Sequence, residues 1–269
     1  MSSSEKKPFN IVSLLIDLVL TGIAFVIFYK LVHAHVPSSD PAMVKLWGGL
    51  TAGCMAGGQP FWPAELRSLI RGMSESRVTL SAGAVQVEID VSSEAARAAA
   101  VRVLTKTFKS HPIAVRESLR EQLRAKAVAT QCPRVMLSWD EVREMHALGM
   151  TIGSHTMTHP NLPSAGLAAA QEELLRSRHE LQQQIGAPVT MFSYPNGGAE
   201  RYMTPDLQRA VREAGYAAAT TSRNAFAGRH SDLYGLERIQ VKERLEDLVF
   251  ALEVERFAFK PRPRPGEEA

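Results

Sequence analysis

The feature that most limits what this chain can fold into is an alternation of short apolar runs with longer helical stretches from about residue 138 onward. Met150 to Gly153, Val189 to Tyr194, Tyr216 to Thr220 and Leu236 to Val241 are short and rich in β-branched, aromatic or small apolar residues, as strands are. Between them lie segments of helical spacing with legible ends. Ser138 followed three residues later by Glu141 is a capping box, and that helix closes at Leu148-Gly149. A long polar helix is expected over Ser164 to Gln184. Thr204-Pro205 opens another, which Gly215 closes. Strand–helix alternation of this kind builds an α/β fold with a parallel sheet or barrel. In such folds, chemistry gathers where the strands end at their C-termini. His155, His159 and Tyr194 each follow an expected strand.

The upstream half is organised differently. Pro63 to Met73 has helical spacing, and Arg77 to Val91 alternates as a hairpin turning around Ser81 to Ala84. Ser92 or Ser93 caps an alanine-rich helix running to about Lys109, and Pro112 opens another to about Ala127. Residues 47–53 are glycine-rich but lack the spacing of a phosphate-binding loop, so they read as a loop. Residues 37–56 are expected to be a linker, and Val36 to Pro41 is its turn-rich start. Glu243 to Glu255 reads as the last helix. The tail, residues 256–269, is Pro-rich and charged and reads as disordered.

Residues 11–29 are uncharged except for Asp17, and ~20 apolar residues suffice to span a bilayer as a helix. Residues 1–36 are therefore expected to hold a single membrane-spanning anchor, with the domain outside the cytoplasm. A buried strand–helix pair of a soluble core is the alternative. Asp17 speaks for that alternative, because a mid-bilayer carboxylate costs about 2.5–3.5 kcal/mol on insertion scales. Charged residues at 22% and hydrophobic residues at 45% argue against wholesale disorder. A net charge of +3 with no Lys/Arg run argues against a nucleic-acid partner. Cys54 and Cys132 fit no CxxC pattern; a disulfide, two free thiols and a thiol ligand all remain open.

His155 and His159 are four positions apart, a spacing that places both imidazoles on one side of a helical turn or tight loop. Two neutral imidazoles suit Zn²⁺ or another divalent transition metal. Spacing alone is weak, since surface or core histidines show it as often. The absence of a glutamate beside His155 removes the HExxH peptidase reading.

The flanking residues say more. Leu137 to Met145, followed by Gly149 to Leu162 with its Ser154-His155-Thr156-Met157-Thr158-His159-Pro160 core, closely resembles the second motif of the polysaccharide deacetylase family, the NodB-homology domain of carbohydrate esterase family four. Phe192-Ser193-Tyr194-Pro195-Asn196-Gly197 resembles the third motif in its F-x-Y-P-x-G form. Ala214 to Ser222 resembles the helix–strand unit after it, and Leu236 to Val241 the R-I-x-V strand near the domain's end. Gly57 to Trp62 is similar to a G-x-P-F-W loop of one subgroup, which also carries a helical insert like residues 93–133.

That resemblance implies a distorted (β/α) barrel over residues 57–255, here incomplete. It implies one divalent metal, commonly zinc, held by Asp-His-His, and hydrolysis of acetyl groups on N- or O-acetylated polysaccharide. His155 and His159 match the metal positions. Tyr194, Pro195 and Asn196 match positions lining the acetyl pocket, where the Tyr194 amide would serve the oxyanion; a core aromatic at a strand end is the alternative for Tyr194. The family's first motif, T-F-D-D-G, has no counterpart. Asp17 and Asp40 are the only aspartates upstream of Gly57, and neither has that context. His230 is a weak match to the family's C-terminal L-x-H motif, and a loop histidine is the plainer reading. Three explanations stand: a truncated or frame-disrupted deacetylase, a membrane-anchored glycan-binding remnant without catalysis, or completion of the site by Asp90, Asp140 or Asp232.

Overall fold

The computed structural model describes residues 47–55, 60–128, 132, 136–196, 202–224, 227 and 231–238. The apolar stretch at 11–29, the start of the linker, His230, the helix expected at 243–255 and the tail lie outside the described residues. No described helix is long and apolar enough to cross a membrane.

Five strands form one parallel sheet: β1 (Trp47–Leu50), β4 (Thr151–Ser154), β5 (Met191–Ser193), β6 (Ala218–Asn224) and β7 (Leu236–Arg238), in that spatial order. The α/β architecture with a parallel sheet is therefore present; closure into a barrel is not seen among the described residues. α4 (Trp139–Ala147), α6 (Leu167–Ile185) and α7 (Pro205–Glu213) supply the crossovers. The capping box is formed, with Glu141 N–H donating to Ser138 Oγ and Ser138 N–H to the Glu141 carboxylate. Thr204 Oγ1 caps α7 through the Leu207 amide.

Two expectations are corrected. Residues 47–50 are not linker or loop but strand β1, paired with β4 in register from Trp47↔Thr151 to Leu50↔Ser154. Gly48 and Gly49 hide the strand from propensity, and only the parallel partner supplies the ladder that stabilises it. The long polar helix does not start at Ser164. A short turn of helix, α5 (Leu162–Ala165), ends at Gly166, whose φ of +85° halts it before α6 begins.

The upstream half has its own core. β2 (Arg77–Ala82) and β3 (Val85–Asp90) form the expected hairpin, with Gly83 at φ +59° opening a two-residue turn. β2 buries Val78, Leu80 and Ala82 on one face. α1 (Trp62–Arg71), α2 (Glu94–Ser110) and α3 (Ile113–Lys126) close over that face. The Ser93 side chain caps α2, resolving the choice between Ser92 and Ser93. Leu66, Ile70, Leu104, Phe108, Leu119 and Leu123 fill this core. A second, larger core lies around the sheet, with Leu50, Ile152, Leu174, Phe192, Tyr194, Val211 and Tyr216 among its members. Glu65 of α1 is buried between Arg120 and Arg124 of α3, at 2.9 Å from Arg120 Nε and 2.7 Å from Arg124 Nε. Neither cysteine forms a disulfide; Cys54 is buried and Cys132 half-buried. Burial pushes the Cys54 thiol up to about 12.

Candidate metal centre at the C-terminal edge of the sheet

The loop from His155 to Pro160 leaves the sheet where β4 ends. His155 N–H donates to Leu50 O, so its first residue still belongs to the β1–β4 ladder. The His155 and His159 rings face each other, centroids 4.9 Å apart at 70°. Their exposures are 4% and 9%. His155 Nδ1 lies 2.8 Å from Ser193 O on β5. A carbonyl only accepts, so Nδ1 carries the proton and Nε2 is left as the ligating nitrogen. His159 Nδ1 is buried with no hydrogen-bond partner. Burial pushes His155 down to about 4 and holds His159 well below its usual value, aided by the charges of His155, Lys109 and Arg116. Both rings are therefore neutral at pH 7, the state a metal needs.

The loop holds an uncommon backbone. Thr156 and His159 have φ of +71° and +55°, the only positive-φ residues other than glycine among those described. Each costs of order 1 kcal/mol or more for an L-residue with a Cβ, and the surroundings compensate. Glu173 of α6 accepts from the Met157 and Thr158 amides at 2.8 and 2.9 Å and from Thr158 Oγ1. Arg116 of α3 donates to Thr158 O and Oγ1. Trp62 Nε1 donates to His159 O at 3.1 Å, and the Phe61 ring meets His159 edge-on at 5.4 Å. Gly53 approaches so closely that a Cβ there would lie 2.7 Å from Met157 O.

Several buried polar atoms besides His159 Nδ1 lack partners at this edge. Thr51 Oγ1 follows β1, Asn196 Oδ1 follows β5, and Thr220 Oγ1 sits on β6 in register with Ser193. Buried polar atoms are rarely left unpaired, so a cluster of them at the ends of adjacent strands marks a place where something polar belongs. Arg238 at the end of β7 adds a cation, donating to Ser193 Oγ and disfavouring a charge on His155. Burial pushes the Arg238 guanidinium down to about 10, and no carboxylate pairs with it among the described residues.

Tyr194, Pro195 and Asn196 lie beside the histidines but are buried. The Tyr194 amide donates to Thr220 O as part of the sheet, and its hydroxyl donates to Tyr234 O. The oxyanion role expected of that amide thus has no free donor behind it. Asn196 Nδ2 donates to Pro160 O and ties this turn to the histidine loop. The three aspartates that could have completed the site do not reach it. Asp90 is exposed at the hairpin's end, Asp140 pairs with Arg143 on a helix surface, and Asp232 is held by Gln208 and the Tyr234 amide. No group of three metal-ligating side chains occurs among the described residues. The donor set therefore fits two ligands of a divalent ion and leaves the anionic one unassigned.

Glu173, Arg116, Trp62 and Arg238 were not singled out from sequence. Two of them carried a signal, Arg238 as the arginine of the R-I-x-V strand and Trp62 as the last residue of the G-x-P-F-W loop. The others are ordinary helix residues whose role exists only once the elements pack.

The two-histidine loop at the C-terminal edge of the parallel sheet lies inside the part of the chain that matches known proteins. Residues 90–219 match the family model described as polysaccharide deacetylase. Over that span the chain is similar to polysaccharide deacetylases, the family its motifs resemble. YxkH of Bacillus subtilis, named as a member of the polysaccharide deacetylases, is 28% identical over 119 residues, covering 44% of this chain and 41% of that protein. The Streptococcus pyogenes deacetylase PplD, solved in complex with acetate, superposes at a TM-score of 0.40 with 23% identity, covering 44% of this chain and 51% of that one. A Bacillus cereus polysaccharide deacetylase superposes at 0.36 with 27% identity, covering 46% and 36%. The chain thus spans about two fifths of the curated relative it matches.

Proposed function

We propose that this chain is built to hydrolyse acetyl groups from N- or O-acetylated polysaccharide at a metal-dependent centre held by His155 and His159. What carries the reading is the pair of facing, neutral, buried imidazoles on a strained and heavily clamped loop. Strain of this kind persists where the surroundings over-determine it, which is how binding sites are held. A divalent ion such as Zn²⁺ bound there supplies Lewis acidity toward the acetyl carbonyl. The chain's own residues set the rest. Ser193 O fixes the His155 tautomer and ring plane. Arg238 makes the edge of the sheet favourable for an anion, such as the released acetate or the carboxylate that completes the ligand set. Tyr194 and Asn196 shape the turn that abuts the histidine loop.

The base and the third ligand would come from a carboxylate outside the described residues. A second reading, a glycan-binding relative without catalysis, is favoured by the missing Asp-Asp motif and by the absence of a third ligand among the described residues. On either reading, an anchor at residues 11–29 would hold the domain outside the cytoplasm, facing a surface polysaccharide.

Zinc stoichiometry and acetate release from acetylated chitooligosaccharide separate these readings, with His155→Ala as control. One zinc per chain with acetate release, both lost in the variant, supports the enzyme. Zinc without acetate supports the binding protein. No zinc in the native chain overturns the centre itself.

A further inference from the structure

A groove of about 750 Å³ opens beside the histidine loop, between α1, α2 and the segment that follows His159. Its walls include Arg67 of α1, Arg102, Lys106 and Lys109 of α2, Asn161 and Tyr202. No aspartate or glutamate lines it. None of the four cations forms an ion pair among the described residues, unlike Arg120 and Arg124 nearby. Arg97, on the same helix, shows what a structural cation looks like here: it is spent on the carbonyls of Ile70, Arg71 and Met73. The groove cations are left to solvent, although α2 buries Ala100, Leu104 and Phe108 on its other face and needs no charge for packing.

Arg102, Lys106 and Lys109 follow one another at intervals of four and three residues, so they form a stripe rising about 10 Å along the helix. The stripe points toward the candidate centre. Lys109 O accepts from Asn161 Nδ2, two residues beyond His159, and Asn161 Oδ1 is buried without a partner. A row of unpaired cations ending in an unpaired acceptor, beside a centre for acetylated sugar, suits a polymer bearing both hydroxyls and anionic groups.

We propose that this groove binds an acidic stretch of glycan, its carboxylate or phosphate groups held by Arg67, Arg102, Lys106 and Lys109 while an acetylated sugar of the same chain lies at the histidine loop. The proposal deepens the deacetylase reading by naming the polymer as anionic. Single-stranded nucleic acid is the less suitable polyanion, because the groove offers Tyr202 and no succession of aromatic faces for bases to stack on.

The test is binding by the full chain, measured calorimetrically without added metal, so that it does not depend on turnover or on the histidines. Oligogalacturonate is compared with a neutral acetylated chitooligosaccharide of equal length, at low and at moderate salt. The expected result is at least tenfold tighter binding of the acidic oligomer, weakening severalfold as salt rises. Arg102→Glu with Lys106→Glu, both exposed, removes that preference and leaves the neutral oligomer unaffected; Arg209→Glu, an exposed control on α7, changes neither. A glycerol-phosphate oligomer in place of oligogalacturonate tells phosphate from carboxylate. Equal affinity for neutral and acidic oligomers, an equal loss in the Arg209 control, or equally tight and equally variant-sensitive binding of a single-stranded oligonucleotide overturns the proposal. A chain that fails to take up zinc yet passes these tests loses the deacetylase reading and keeps the groove.

Discussion

The sheet half of this molecule and its insert half, here α1 to α3 with the β2–β3 hairpin, treat the same loop in different ways. The sheet half decides where the histidines are: β4 delivers them to its C-terminal edge, and Ser193 of β5 orients the first ring. The insert half contributes no candidate ligand, yet it holds the loop's shape. Trp62 grips His159 O, Arg116 grips Thr158, and the end of α2 grips Asn161. Position comes from topology, and conformation comes from a neighbouring core with separate hydrophobic residues. A mutation in either core can therefore disturb the centre, but by different routes.

The largest effect is expected from Glu65→Gln, which cuts α1 from α3 inside the insert. Arg120 is left buried without its carboxylate, and losing one partner of a buried pair costs about 3–5 kcal/mol. Denaturant unfolding should show the loss, and hydrogen exchange should place it first in 62–126, with β4 to β6 still protected. Uniform loss of protection would mean the two cores unfold as one. Glu173→Ala comes next. It strands the Met157 and Thr158 amides and should cost about 2–3 kcal/mol. Unlike Glu65→Gln, it should also abolish zinc uptake, because it frees the loop directly. Retained uptake would show that the sheet alone shapes the loop.

That division also explains what could be read from the sequence. The capping box at Ser138, the hairpin turn at Gly83 and the histidine pair are local signals, and each stands where it was expected. Strand β1 was missed because Gly48 and Gly49, half of its residues, disfavour a strand, and its partner is about a hundred positions away. The Tyr194 amide looked available because a motif shows residue types and not hydrogen bonds. Once β6 lies beside β5, Thr220 O takes it. Glu173 and Arg116 were illegible for the same reason: a glutamate or arginine on a helix is ordinarily a solvated residue, and only packing buries these two.

A pH effect separates the halves further, in protein stripped of metal by chelator. His155 is neutral when folded, with its value lowered to about 4, against about 6.5 unfolded. The unfolded chain thus binds more protons between those values. Stability is complete above about pH 6.5 and is lost as pH falls toward 4, by up to about 3 kcal/mol for this group. His159 acts in the same direction, because burial first and then the facing cations Lys109 and Arg116 disfavour its charged form. Urea midpoints at pH 7.5 and 5 should differ, and His155→Asn should reduce the difference. A flat profile in the native chain would mean that the rings are not buried as neutral groups.

The smallest expected effect is the most informative about the junction. Trp62→Phe keeps an aromatic ring between Phe108 and His159 but removes the indole N–H that donates to His159 O. One hydrogen bond and a little packing should cost about 1–2 kcal/mol of stability. If the insert imposes the loop's shape, His159 at φ +55° relaxes without that tether, and zinc affinity falls by more than stability does. If the loop is instead held by Glu173 and the β1–β4 ladder, stability falls and zinc affinity stays. The ratio of the two losses measures how much of the centre's geometry the second core supplies.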